Sequence, residues 1–200
     1  MEKKYKLYSF LLWLFFLTPI SLIALIFYYA SIGGFGDMPD LEVLENPKTN
    51  LASEVISSDG KTLGKYYFND NRTPVTFDEL PTHLVDALIA TEDIRFYSHS
   101  GIDFKRTFGA ALKLGKDGGG STITQQLAKL LFTGEGSRDI LERLTQKFKE
   151  YIIAVRLERH YTKDEIITQY LNLYDFGNNG DGIRSAARIY FGKEPIDLDI

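Results

Sequence analysis

Gly118 to Lys129 reads GGGSTITQQLAK. Three consecutive glycines make a flexible loop, and the loop runs directly into hydroxyl side chains. Thr122 and Gln125 stand three residues apart, the spacing of a capping box, and open a helix expected to reach about Phe132. A glycine loop feeding a hydroxyl-rich helix start presents free N–H groups, which suits an anionic group. Lys129 falls two turns into the helix without the spacing of a P-loop, so a Walker-type nucleotide cradle is excluded. The same residues also describe an ordinary capped helix start, and the local pattern leaves both readings open.

Helix signals dominate on either side. Upstream, Pro81 opens a helix with Leu84, Val85, Leu88 and Ile89 as its apolar stripe. Downstream, Asp139 to about Arg159 is a longer helix, with Leu144, Phe148, Ile152 and Val155 expected inward. Thr162 and Glu165 form a second capping box before a helix ending near Tyr174. Ile183 to Phe191 is a short helix closed by Gly192. Glu54 to Phe68 reads instead as a β-hairpin, with SEVIS and TLGKYYF flanking an Asp59-Gly60 turn. The expected fold is mainly α with a small β element.

The N-terminus is different in kind. Leu7 to Ala30 (LYSFLLWLFFLTPISLIALIFYYA) carries no charge and exceeds the roughly 20 residues that span a bilayer. Pro19 lies mid-span, where a membrane helix tolerates it, and Tyr8, Tyr28 and Tyr29 sit near the ends as interfacial anchors. Lys3, Lys4 and Lys6 precede the span; Asp37, Asp40, Glu42 and Glu45 follow it. The positive-inside bias puts residues 1–6 in the cytoplasm, residues 7–30 in the membrane and the rest outside. A cleaved signal peptide would have a shorter apolar region and small residues before the cut, which Tyr28 ahead of Ala30 does not supply. The expectation is an uncleaved signal-anchor, then a Gly/Pro/Asp-containing linker over 31–50, then one domain over 51–200.

Composition sets outer bounds. The chain has 200 residues, no cysteine and a net charge of −4. Disulfide and thiolate chemistry are excluded, and the charge argues against a nucleic-acid partner. The charge is split: Ser31 to Ile94 holds 4 Lys/Arg against 12 Asp/Glu, and Arg95 to Lys163 holds 13 against 7. The basic half contains the glycine loop, so an anionic ligand there is consistent, although on charge alone basic residues that merely solvate helix faces are the simpler account.

Two carboxylates stand out. Glu92 follows Val85, Leu88 and Ile89 by seven, four and three residues, so it lies on the apolar stripe near a helix C-terminus. Desolvation and the helix dipole there both disfavour the charged form, which is how a general acid or base is tuned. The competing reading is a helix-end Glu paired with Arg95 or solvated. Glu150 shares a face with Arg143, Lys147 and Ala154, apart from the expected apolar stripe. It either lines a cleft or forms a surface pair with Lys147 worth about 0.2–0.5 kcal/mol. His83, His99 and His160 show no metal-ligand spacing, and no serine stands in a nucleophile elbow.

Taken together, these pieces resemble the glycosyltransferase domain of the bifunctional penicillin-binding proteins and of the monofunctional peptidoglycan glycosyltransferases. Five motifs follow in that family's order between about Leu80 and Lys193. They are EDIRFYSHSG (Glu92–Gly101), GSTITQQLAK (Gly120–Lys129), KFKE (Lys147–Glu150), a fourth from Lys163 through Tyr170-Leu171-Asn172, and RSAARIYFGK (Arg184–Lys193). The chain departs from the usual pattern at Gln146, where the family has Arg, at Thr168, and at Leu173, Asp175 and Asn179.

The resemblance implies a lysozyme-like helical domain with a small membrane-proximal subdomain, and polymerisation of lipid II into glycan with inversion and release of polyprenyl diphosphate. It implies Glu92 as general base and Glu150 as second active-site acid. It places Lys129, Lys147 and Lys193 on the sugar-phosphates, with Ser121, Thr122, Gln125 and Gln126 nearby. Asp93, Arg95, Phe96 and His99 of the first motif, with Asn172 and Arg184, complete the implied substrate-binding set. No organic cofactor is implied; a divalent cation, Mg2+ or Mn2+, is implied for some members. The implied partners are lipid II, the growing glycan strand, the lipid bilayer and other cell-wall synthesis proteins, at the extracytoplasmic face of a bacterial inner membrane. The alternatives are a catalytically inactive anchored scaffold and a lysozyme-like glycan hydrolase. Family domains continue past the fifth motif, so the pattern ending at Ile200 is expected to be a fragment of a longer domain.

Overall fold

The computed structural model describes residues 2–34, 36, 53–66, 72–112, 119–134 and 136–200. Most of the expected linker, the end of the expected hairpin at Tyr67 and Phe68, and Gly118 of the glycine loop lie outside the described residues.

Helix α1 spans Glu2–Ser31 and runs through Pro19. It is long and apolar enough to cross a membrane, and its large side chains from Tyr5 to Tyr29 are mostly exposed. Its C-terminal end is packed against the domain. There Ala30 is buried, and the Phe27 ring meets Phe148 edge-on at 5.3 Å and Tyr151 at 6.1 Å. Strands β1 (Ser53–Ile56) and β2 (Thr62–Tyr66) pair antiparallel, as the turn at Asp59-Gly60 predicts, with Gly60 at φ +80°.

The domain core is helical: α2 (Thr82–Glu92), α3 (Phe104–Leu112), α4 (Ile123–Ala128), α5 (Ile140–His160), α6 (Lys163–Leu173) and α7 (Gly182–Phe191). Helix α4 lies at the centre, packed on α5 and α6. Six residues are too few to be stable alone, so α4 depends on burial. Ile123, Leu127 and Ala128 are fully buried against Phe96, Ile153, Leu157 and Ile167, at roughly 1.5–3 kcal/mol per large aliphatic side chain. Both expected capping boxes form, Thr122–Gln125 on α4 and Thr162–Glu165 on α6. Gly192 closes α7 in the left-handed region as expected.

The helices differ from expectation in three details. The helix opened by Thr122 reaches the expected end near Phe132, but its α-helical part, α4, stops at Ala128 and continues as a π-type turn over Lys129–Thr133, closed by Gly134 N–H donating to Lys129 C=O at 2.9 Å. Helix α3 was not among the expected helices. On α5, the core face is Glu150, Ile153, Ala154 and Leu157, whereas Leu144 is half-exposed and Phe148 turns to α1. The helix has two apolar stripes. The one expected inward covers the junction with α1, and the face bearing Glu150 meets α4.

Gly101 shows why the first motif ends in glycine. Its φ is +88°, and a Cβ there would stand 2.8 Å from the Ala154 carbonyl oxygen on α5. Gly101→Ala is therefore expected to cost roughly 2–4 kcal/mol through left-handed strain plus overpacking. A thermal melt that leaves Tm unchanged would contradict this contact.

Candidate active site

A cleft of ≈ 700 Å³ opens between the C-terminal end of α2, the start of α4, the π turn, α5 and the end of α6. That size suits a drug-sized or disaccharide ligand. Glu92 comes from α2; Ser121, Gln125, Gln126 and Lys129 come from the capped start and first turns around α4. Lys147 and Glu150 come from α5, with Tyr170 and Tyr174 closing the α6 side.

Glu92 is half-buried at the helix end. Its Oε2 accepts from Gln126 Nε2 at 2.8 Å, and Gln126 Oε1 accepts from the Tyr170 hydroxyl at 3.0 Å. The expected alternative, a pair with Arg95, does not form. Arg95 instead grips Asp103 with two N–H···O bonds of 2.8 Å. Burial first, then the charge of Glu92 and the neighbouring Tyr174, push the Tyr170 hydroxyl well above its ordinary range. Tyr170 therefore stays a proton donor.

Glu150 is 7% exposed. Its Oε2 accepts from Lys147 Nζ at 2.6 Å, and the same ammonium donates to Ser121 Oγ at 2.7 Å. The i,i+3 pair therefore exists, but as a half-buried bridge between α5 and the second motif rather than a surface pair. Burial, then the Glu150 charge, raise the adjacent Tyr151 hydroxyl as well.

Four cations line the cleft, Arg106, Lys129, Arg143 and Lys147, against the two carboxylates Glu92 and Glu150. Among the described residues neither Lys129 nor Arg143 has an ion-pair partner. Arg106 donates to the Gly119 carbonyl at 3.2 Å and to the Glu92 carbonyl, tying the glycine loop to the end of α2. An excess of positive charge in a concave, partly water-excluded site suits a multiply charged anion.

Several expected site residues sit elsewhere. Asp93 is 1% exposed and faces the core. It accepts from the Ile123 N–H at 3.1 Å and from His99 Nε2 at 3.1 Å, so it anchors the N-terminus of α4. Phe96 is fully buried, under the Lys163 ammonium at 4.2 Å. Thr122 caps α4 and donates to the Gly101 carbonyl at 2.7 Å. Asn172 clamps Val75 through two 2.9 Å backbone bonds, Arg184 pairs with Glu79 and Glu194, and Lys193 pairs with Asp199. Arg106 and Tyr174 were not anticipated. Arg106 lies on the unannounced α3, whereas Arg143, one turn before Lys147, was visible as part of the cationic face.

Among the described residues, the two carboxylates of the cleft are engaged by Gln126 and Lys147. Asp93, His99 and Asp103 do bring three ligand atoms within 4.8 Å of one another. Both oxygens of Asp103 are already held by Arg95, and one of them also accepts the Arg106 N–H. Burial opposes the charge on Asp103, but these donors outweigh it and hold the carboxyl below its usual range.

Residues 59–200 match the family model described as transglycosylase. The chain is 38% identical over 168 residues to penicillin-binding protein 1A of Pseudomonas aeruginosa, covering 82% of this chain and 20% of that protein. It is 41% identical over 155 residues to penicillin-binding protein 1F of Bacillus subtilis, covering 76% and 21%. With penicillin-binding protein 1A of Escherichia coli it shares 40% identity over 168 residues, covering 82% and 19%. The chain thus spans about a fifth of the length of these curated relatives.

Proposed function

Since this chain belongs to the transglycosylase family, we propose that it polymerises lipid II into peptidoglycan glycan strands at the extracytoplasmic face of a bacterial inner membrane, held there by α1. The observation that carries this reading is the cleft itself, lined by the carboxylates Glu92 and Glu150 together with the cations Arg106, Lys129, Arg143 and Lys147. A diphosphate-linked sugar needs both, whereas hydrolysis of mature glycan needs only the carboxylates.

Glu92 takes the proton from the 4-hydroxyl of the acceptor sugar. That oxygen attacks the anomeric carbon of the growing chain, and the anomeric C–O bond breaks with its electron pair leaving on the diphosphate. The new glycosidic bond has inverted configuration, and the proton remains on Glu92. Lys129, Arg143 and Lys147 bear on the departing diphosphate, whose charge grows toward the transition state, where preorganised cations act most strongly. Glu150 holds Lys147 in place and positions the donor end. A divalent cation would have to bring its remaining ligands from the diphosphate, and no step above depends on one. Residues 1–6 lie in the cytoplasm by the positive-inside bias. Other cell-wall synthesis proteins are proposed partners.

The test pairs two substrates in detergent. Fluorescent lipid II is expected to give long glycan with release of polyprenyl diphosphate, and isolated sacculi are expected to stay uncut. Soluble fragments from sacculi without polymer would transfer the reading to a hydrolase. Lipid II binding without turnover would transfer it to a scaffold.

A further inference from the structure

We infer that Gln126 and Tyr170 are positioning residues that fix which oxygen of Glu92 meets the acceptor hydroxyl, an inference that rests on the base role proposed above. Gln126 carries one donor end and one acceptor end on a flat amide. Its Nε2 lies 2.8 Å from Glu92 Oε2, and its Oε1 lies 3.0 Å from the Tyr170 hydroxyl. The reversed amide would set a carbonyl oxygen against a carboxylate, so Glu92 demands this orientation. With Nε2 directed at Glu92, Oε1 is left facing Tyr170, whose hydroxyl keeps its proton through burial and the Glu92 charge and donates it to that oxygen.

Glu92 Oε2 is therefore occupied by an N–H, leaving Oε1 to receive a proton. Tyr170 itself is packed in place: it belongs to the buried face of α6, and its ring lies tilted against Tyr174 at 5.3 Å, which in turn meets Phe176 at 5.0 Å. A base held in one geometry loses less orientational freedom at the transition state. Other charged or titratable groups bear on the same cleft from each packed element: Arg106 of α3, Lys129 of the π turn, Arg143, Lys147 and Glu150 of α5, and Tyr174 of α6. None of these bonds the Glu92 carboxylate among the described residues, so Gln126 is the contact through which Tyr170 acts.

The experiment uses the full chain in detergent and reads Tyr170→Phe twice. First, kcat for lipid II polymerisation is expected to fall roughly 10-fold with KM within about twofold, the size of effect expected for loss of one orienting hydrogen bond. Second, the Gln126 side-chain amide resonances, assigned with Gln126→Met, are expected to shift downfield in the parent chain and to lose part of that shift in both Tyr170→Phe, which removes the phenol donor, and Glu92→Gln, which replaces the charged acceptor by a neutral one. An unchanged kcat, a fall in kcat matched by a raised KM, or Gln126 resonances indifferent to both substitutions overturns the inference. Should the parent chain make no glycan while the amide resonances respond as stated, the positioning stands and the proposed reaction is what fails.

Discussion

Glu92→Gln is expected to lower the rate of glycan formation from lipid II by about 10³-fold or more, within the range seen when general-base catalysis is removed. The substitution is nearly isosteric. The new amide oxygen can still accept from Gln126 Nε2, which lies 2.8 Å from Glu92 Oε2, and the Arg106 bond goes to the Glu92 backbone and is untouched. Fold and substrate affinity should therefore survive. The variant should bind fluorescent lipid II within a few-fold of the parent while making almost no polymer. Tm unchanged with turnover retained would remove Glu92 from the mechanism.

Asp93→Ala should do the opposite, harming the fold rather than a substrate contact. The carboxylate is almost wholly buried and accepts from the Ile123 N–H and His99 Nε2. Removing it strands two buried donors and strips the anion from the N-terminus of α4. The expected loss is roughly 2–4 kcal/mol, or about 5–15 °C in Tm for a chain of this size. The variant should unfold earlier in a thermal melt, and its surviving folded fraction should keep a KM near the parent's. A raised KM with Tm unchanged would restore Asp93 to the substrate-binding set in which the family resemblance places it.

The contrast between these neighbouring residues marks what the sequence could and could not say. Local signals were legible. Thr122–Gln125 and Thr162–Glu165 announced helix starts, Asp59-Gly60 announced the hairpin and the charge-free run announced α1, because each depends on bonds or solvation within a few residues. Orientation against a partner was not. Helix α5 carries two apolar stripes, and its period cannot say that one would meet α1 while the Glu150 face met α4. Within the candidate site, Glu92, Glu150, Lys129, Lys147, Ser121, Gln125 and Gln126 do line one cleft. Asp93, Phe96 and Thr122 are used to hold α4, which motif spacing alone does not separate from ligand contact. Arg106 escaped notice because its partners are two backbone carbonyls, Glu92 and Gly119, reached across the fold.

The most direct test of the account is the anomeric configuration of the first linkage made from lipid II by this chain, read by NMR on the product. A single displacement driven by Glu92, with diphosphate leaving toward Lys129, Arg143 and Lys147, predicts configuration inverted relative to the donor and one polyprenyl diphosphate released per linkage. A product with retained configuration would require a covalent glycosyl-enzyme step that this cleft was not proposed to perform, and would contradict the account.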